Sequence, residues 1–359
     1  MEFTAVLSEW NDNYTYLDVF VESKCLEEVA QIFKNNRIKY VKVIDDYQQW
    51  IDQENSVPEE DETYDGHTLT WHRYHRLADI NSFLEYAANT FPSICTIIDI
   101  GISVEGNPLR LLKISNGALE NKAVWIEGGI HAREWLSPAT TTYIINHLIH
   151  NWDNEAMSIQ NINWHILPIV NPDGYEFSHT HDRLWQKNRS KNTVCFGTDL
   201  NHNFGYSWGG EDSSPNPCSE VYEGLSPFSE PETASIENYF LNIESSAQWK
   251  AFLTFHSYGQ YIVYQADDPS DNEDLLYVGY KMAEALSTQG VHYTVVPSFN
   301  ESGSSHAWSK RIIGIKYTYT IELRDTGERA FAPSADSIVP SGEDGVAIIR
   351  TIADVVDAL

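Results

Sequence analysis

No run of eighteen or more apolar residues occurs in the 359-residue sequence, so nothing in it has the length of a membrane-spanning helix. Cysteine is scarce: Cys25, Cys95, Cys195 and Cys218 are too few for a disulfide scaffold and contain no C-x-x-C metal spacing. Basic residues are also few, 23 against 52 acidic ones, and the formal charge of −29 opposes nucleic acid or an anionic membrane as a main partner. An acidic, solvated surface is the simpler reading. The opening residues Met1 to Ser8 lack a basic stretch followed by a long apolar one, so no signal peptide is visible, as expected of a processed form or a cytosolic chain. What is abundant is core material: 42% hydrophobic and 13% aromatic residues suit one large domain with an appendage.

Within the first fifty residues, 16–21 and 39–44 alternate like strands, while 26–34 and 47–53 have helical spacing, a βαβα pattern with little room for its own core. Residues 53–66, with Pro58, Gly66 and the acidic run Glu59 to Glu62, read as an exposed linker. The expected domains are therefore 1–52, a linker over 53–66, and 67–359. The last of these alternates helical stretches with short β-rich runs, the pattern of an α/β sheet with helices on its faces. Four runs end in a turn or a polar residue: Ala123 to Glu127 before Gly128-Gly129, Asn163 to Val170 before Asn171, Ala251 to Phe255 before His256, and Tyr317 to Ile321 before Glu322. In open α/β sheets ligands bind outside the carboxyl ends of the strands. Val346, Ile349, Ile352, Ala353 and Val356 mark a closing amphipathic helix.

The chemistry-bearing residues fall at those ends. His131-Ala-Arg-Glu134 follows a strand and two glycines, and His256 closes another strand, so two imidazoles and a carboxylate are available for one Zn²⁺. Three protein ligands leave a fourth position for water, the arrangement of a catalytic rather than a structural zinc. An H-x-x-E tetrapeptide alone is common; its position gives it meaning. Cys195 and Cys218 flank a stretch rich in Gly, Asn, Ser and Pro, and composition leaves paired and free thiols equally open.

From about Asp61 onward the chain resembles the zinc metallocarboxypeptidases of the pancreatic A and B type, and its first fifty residues resemble their activation segment. The matching runs are 128–135, Asn171-Pro-Asp-Gly-Tyr175, Arg183-Leu-Trp185, Phe228-Ser-Glu-Pro-Glu232, Phe255-His-Ser-Tyr258 and Ile321-Glu-Leu-Arg-Asp-Thr-Gly327. The resemblance implies a mixed eight-stranded sheet sandwiched by helices, preceded by a small antiparallel α+β activation domain. It also implies a Cys195–Cys218 disulfide and an extracellular, secreted protein. His131, Glu134 and His256 match the zinc ligands, Asp199 the carboxylate that orients His131, and Glu322 the general base that takes a proton from water and passes it to the leaving amine.

Other positions depart from the family. Gln186 stands where an oxyanion-stabilising arginine is found. Asn201 is retained, but His202 replaces the arginine that grips the substrate carboxylate. Phe299 aligns with a mobile tyrosine, His306 with the floor of the side-chain pocket and Asp267 with its wall; Arg133 and Tyr258 complete the expected substrate-binding set. A neutral donor and an imidazole weaken the hold on a free C-terminus at neutral pH, and His202 would tighten it as it protonates. No Lys or Arg lies between Lys42 and Arg73, so trypsin-like release of the activation segment, expected to act as an intramolecular cap, is disfavoured. The expectation is a monomeric zinc exopeptidase acting on peptide or protein C-termini, of reduced or atypical activity. The alternatives are a zinc-loaded pseudoenzyme that binds a peptide or partner, and an amide hydrolase of different specificity.

Overall fold

The structure, a computed structural model, describes residues 4–6, 18–21, 23–40, 42, 44, 46–55, 66–266, 270–298 and 301–359. Two compact units divide between Tyr47 and Gln48. In the first, β1 (Thr4–Val6) pairs antiparallel with β2 (Asp18–Phe20), and α1 (Leu26–Asn35) follows. The alternation at 39–44 does not become a strand at its described positions 39, 40, 42 and 44. Ile38 and Tyr40 are exposed there, and no described strand pairs with the segment to give the alternation a core face. The expected boundary at 52/53 falls inside α2 (Tyr47–Glu54). Glu54, expected in an exposed linker, is instead 1% exposed because Arg183 binds its carboxylate.

The second unit contains α3 (Leu77–Thr90), β3 (Cys95–Ile102), β4 (Pro108–Ile114), β5 (Lys122–Glu127), α4 (Leu136–Asn151), α5 (Met157–Gln160), β6 (Ile162–Leu167) and α6 (Pro172–Thr180). It continues with α7 (Pro231–Asn238), β7 (Gln248–His256), β8 (Tyr261–Gln265), α8 (Asn272–Ser287), β9 (Thr294–Ser298), α9 (Ser305–Trp308), β10 (Tyr317–Glu322) and α10 (Ile338–Asp357). The eight strands β3 to β10 form one sheet in the order β3-β4-β6-β5-β7-β10-β8-β9. Its centre, β6-β5-β7-β10, is parallel, and antiparallel pairings occur at β3-β4-β6 and β10-β8, so the sheet is mixed as the resemblance implies.

Period-two alternation assigns the two faces. Val124 and Ile126, Leu253 and Phe255, and Tyr319 and Ile321 point into a core closed by α3, α4, α8 and α10. The intervening Trp125 and Phe252 face a second core with Ile236, Phe240 and Trp308. On this second face the side chains turn polar toward the strand ends: Glu127 on β5, Thr254 and His256 on β7, Thr320 and Glu322 on β10. The site is thus where an apolar sheet face gives way to polar groups at the carboxyl ends. Arg76 precedes α3 as its extended N-cap, so 71–76 lie outside the helix. Among the described residues, no helix is long and apolar enough to cross a membrane.

Candidate metal centre

The turn leaving β5 sets the first donors. Gly129 has a φ of +59°, and a Cβ there would lie 2.9 Å from Pro138 Cγ; one on Gly128 would lie 2.8 Å from Ser137 Oγ. Only glycine lets the chain pass this close to the start of α4. Ser137 Oγ accepts from Gly129 N–H at 2.9 Å and donates to the Phe255 carbonyl at 2.5 Å, tying the His131 turn to the end of β7. Parallel pairing of β7 with β10 then places His256 directly beside Glu322.

Donor atoms of His131, Glu134 and His256 all lie within 4.8 Å of one another. His131 Nδ1 is 2.8 Å from Glu134 Oε1, and His256 Nδ1 is 3.1 Å from Glu134 Oε2. A tetrahedral zinc with bonds of ~2.1 Å requires ligand separations of about 3.4 Å, which small shifts of these atoms would give. Both imidazoles present Nδ1 to the shared centre and have Nε2 tied behind it. His131 Nε2 is 3.3 Å from Asp199 Oδ1, and His256 Nε2 is 3.1 Å from Thr254 Oγ1. Fixing the far nitrogen selects the tautomer whose near nitrogen can bind metal.

Electrostatics favour a cation here. Burial works against charge on His131, but Glu134 and Asp199 outweigh it and raise its pKa to about 10. Glu134 is opposed by burial too, yet His131 and His256 bring it down to about 2. Asp199, 1% exposed, is held below the usual carboxylate range by His131, which overcomes the desolvation cost. Glu322 differs: desolvation pushes it up to about 7, with Glu134 and Glu301 adding to the effect and the two histidines opposing it. Three acidic groups facing two imidazoles thus favour positive charge at this centre, and the donor set fits zinc.

A family model for zinc carboxypeptidases matches residues 80–348. The chain belongs to the zinc carboxypeptidase family. Its cofactor is Zn²⁺. It is 37% identical over 300 residues to carboxypeptidase B of Astacus astacus, covering 80% of this chain and 98% of that protein. Carboxypeptidase A4 of Mus musculus is 34% identical over 367 residues, covering 97% and 86% of the two chains. Among solved structures, thrombin activatable fibrinolysis inhibitor matches with a TM-score of 0.85 at 32% identity, over 96% of this chain and 89% of that one. Carboxypeptidase A of Helicoverpa armigera also gives 0.85, at 27% identity, over 95% and 88%.

In this member of the zinc carboxypeptidase family the residues expected to contact substrate are placed unevenly. Gln186, 7% exposed, accepts from the Arg133 guanidinium through Oε1 and donates from Nε2 to Asp199 Oδ2 at 2.9 Å. Arg133 also lies over the Phe331 ring, 4.2 Å from its centroid, and Tyr258 packs on the same ring. Asn201 Oδ1 accepts from Ser305 N–H at 3.1 Å. His202 Nδ1 is 2.8 Å from the Ser302 carbonyl, which makes that nitrogen a donor, and its Nε2 is 3.8 Å from Asp199 Oδ2. His306 is buried, with Nδ1 3.1 Å from Thr320 Oγ1 and 3.3 Å from Glu301 Oε2. Phe299 and Asp267 lie outside the described residues. Cys195 and Cys218 form a disulfide closing a loop of sequence separation 23. Nothing in the sequence pattern singles out Glu54 or Glu301. For Glu127 a signal was present: a lone carboxylate ending the wholly apolar run Ala123-Val-Trp-Ile126.

Proposed function

We propose that this chain is a metallocarboxypeptidase that hydrolyses C-terminal peptide bonds, with a weaker hold on the substrate's terminal carboxylate than its relatives have. The observation that carries this reading is the convergence of His131 Nδ1, His256 Nδ1 and both Glu134 oxygens beside Glu322. His131, Glu134 and His256 would hold the zinc, which when bound supplies a Lewis acid that polarises the scissile carbonyl and lowers the pKa of water. Glu322 accepts a proton from the attacking water at a carboxylate oxygen and returns it to the leaving amine. Its half-buried position keeps this carboxylate poorly solvated, which raises its basicity. Asp199 holds His131 by its Nε2–H, so that Nδ1 keeps its lone pair for the metal.

Substrate contacts fall to Arg133, Gln186, Asn201, His202, Tyr258, Phe299 and His306. Gln186 offers a neutral amide where relatives have a cation, and one of its N–H groups is already committed to Asp199. Loss of one oxyanion donor lowers rates by about 10²- to 10³-fold in other enzymes, but zinc polarises the same oxygen, so activity is reduced rather than abolished. His202 is a poor substitute for a guanidinium because its Nδ1 is committed to the Ser302 carbonyl and its Nε2, 3.8 Å from Asp199, is a single nitrogen rather than a fork of donors. We read residues 1–52 as an activation segment, 53–66 as its connector and 67–359 as the catalytic domain of a secreted, monomeric zymogen. The commitment of Gln186 to Arg133 and Asp199 favours one second reading, an impaired zinc-binding protein that captures peptides without turnover.

Zinc-loaded protein, with and without residues 1–66, is incubated with a peptide library from pH 5 to 8, beside Glu322→Gln. Release of single C-terminal residues by the parent, reduced by at least about 10²-fold in the variant, is the expected result. Equal products from the two proteins would remove the enzymatic reading.

A further inference from the structure

One residue back along each strand's polar face from the His256–Glu322 pair lies a second row. Glu127 of β5 is in register with Thr254 of β7, and Thr254 with Thr320 of β10. Glu127 and Thr254 are 0% and 1% exposed, so a carboxylate has been placed where its desolvation is unfavourable unless neighbouring donors offset it. Trp125 Nε1–H donates to its Oε2 at 2.8 Å and fixes the carboxylate plane. Its Oε1 is enclosed and makes no hydrogen bond of ordinary geometry; burial pushes the pKa of this carboxyl up, and the Ser305 hydroxyl, the Trp125 N–H, His256 and the Thr254 hydroxyl beside it oppose that rise.

The polarity of the adjoining chain of groups is forced. With Nδ1 of His256 directed at Glu134, its ring proton resides on Nε2 and is donated to Thr254 Oγ1, 3.1 Å away. The Thr254 hydroxyl, now an acceptor from His256, needs an acceptor for its own hydrogen. β7 is flanked on both sides by β5 and β10, so its neighbouring carbonyls serve the sheet ladder. Glu127, the register neighbour of Thr254 on β5, offers a buried acceptor beside it in Oε1, which makes no other hydrogen bond.

We propose that Glu127 is a positioning residue for His256, acting through Thr254: His256 Nε2–H donates to Thr254 Oγ1, whose hydroxyl donates to Glu127. The inference rests on the reading of His256 as a zinc ligand. It gives the second imidazole an orienting carboxylate, as Asp199 gives the first, with a hydroxyl interposed. An acceptor-only group is what the end of this chain demands. A glutamine would turn an NH₂ toward either Trp125 N–H or the Thr254 hydroxyl, and one donor would face another.

The test uses the full-length protein and measures zinc affinity and zinc release rate by chelator competition, together with the melting temperature of the metal-free form. Thr254→Val and Glu127→Gln are each expected to weaken zinc binding about tenfold, the low end of the range for outer partners of ligating histidines. Thr254→Ser, which keeps the hydroxyl, should bind like the parent. The double variant Thr254→Val/Glu127→Gln should be no weaker than the worse single one, because both break one chain. Unchanged affinity in Thr254→Val, or effects that multiply in the double variant, would overturn the proposal. If Glu127→Gln fails to fold, the Val/Ser pair at position 254 decides alone, since valine keeps the shape of threonine without its hydroxyl and serine keeps the hydroxyl. A parent that binds no zinc, or a His256→Ala variant that binds it as tightly as the parent, would instead sink the ligand assignment on which the inference stands.

Discussion

Gln186 commits both ends of its amide to neighbours within the site. Its carbonyl oxygen faces Arg133 and its amide nitrogen faces Asp199, so it couples a buried guanidinium to the carboxylate behind His131. Gln186→Ala should therefore lower stability and zinc affinity more than turnover. The expected values are a loss of about 1–3 kcal/mol from the unmet Asp199 and Arg133 groups, and a kcat drop below about tenfold at saturating zinc. A fall of 10²-fold or more in kcat would restore it as a principal oxyanion donor. His179 offers a different residue-scale test. Its ring stacks on Trp135 at 3.7 Å, and burial, then Arg183, Arg76 and His75, press its pKa well below the ordinary 6.5. Between the folded pKa and 6.5 the unfolded chain binds a proton that the folded chain refuses. The neutral ring's contribution is complete above pH 6.5 and erodes as pH falls, by up to about 1.4 kcal/mol per pH unit. Urea midpoints at pH 7, 6 and 5 should show His179→Phe gaining on the parent as the pH drops, and parallel curves would refute this.

At the scale of elements, α2 is held by its last residue. Glu54 takes a two-point grip from Arg183, through Nε at 2.7 Å and NH2 at 2.5 Å, while Arg183 also donates to the Arg133 carbonyl and lies over Trp135. Removing one partner of a buried ion pair leaves the other uncompensated, so Glu54→Gln should cost about 3 kcal/mol, read as a lower urea midpoint with unchanged m-value. A shift under about 0.5 kcal/mol would mean that Trp135 and the carbonyls suffice for Arg183. This contact was hidden in the sequence because Glu54 precedes an acidic, proline-containing stretch, and a carboxylate there has every appearance of a solvated charge. The central strands, by contrast, were legible, because fully buried parallel strands read as unbroken apolar runs, as in Ala123 to Ile126 and Ala251 to Phe255. Legibility extended to His131, Glu134, His256 and Glu322, since each follows or ends such a run. It failed where a contact depends on alignment across strands or between distant segments. Nothing local to Glu127 or Thr254 says that they are register partners, and nothing local to Glu301 says that it meets His306.

For the molecule as a whole, charge is the dominant fact. A chain of 359 residues with a formal charge of −29 has a site with carboxylates of its own, among them Glu134, Asp199, Glu301 and Glu322. Every peptide approaching with a free C-terminus carries one negative charge, and it does so against this field. Substrates with lysine or arginine near the end are steered inward; substrates with aspartate or glutamate there are held off. Because screening shortens the reach of such fields from about 30 Å at 0.01 M salt to about 8 Å at 0.15 M, the two classes must respond to salt with opposite sign. Over that range kcat/KM for basic peptides should fall, by about tenfold, and that for acidic peptides should rise, with neutral peptides of the same length between them. Choline chloride in place of sodium chloride should give the same slopes if the effect is screening rather than a specific ion. Equal slopes for all three peptides would mean that local contacts in the pocket, not the field of the chain, decide which C-termini reach Glu322.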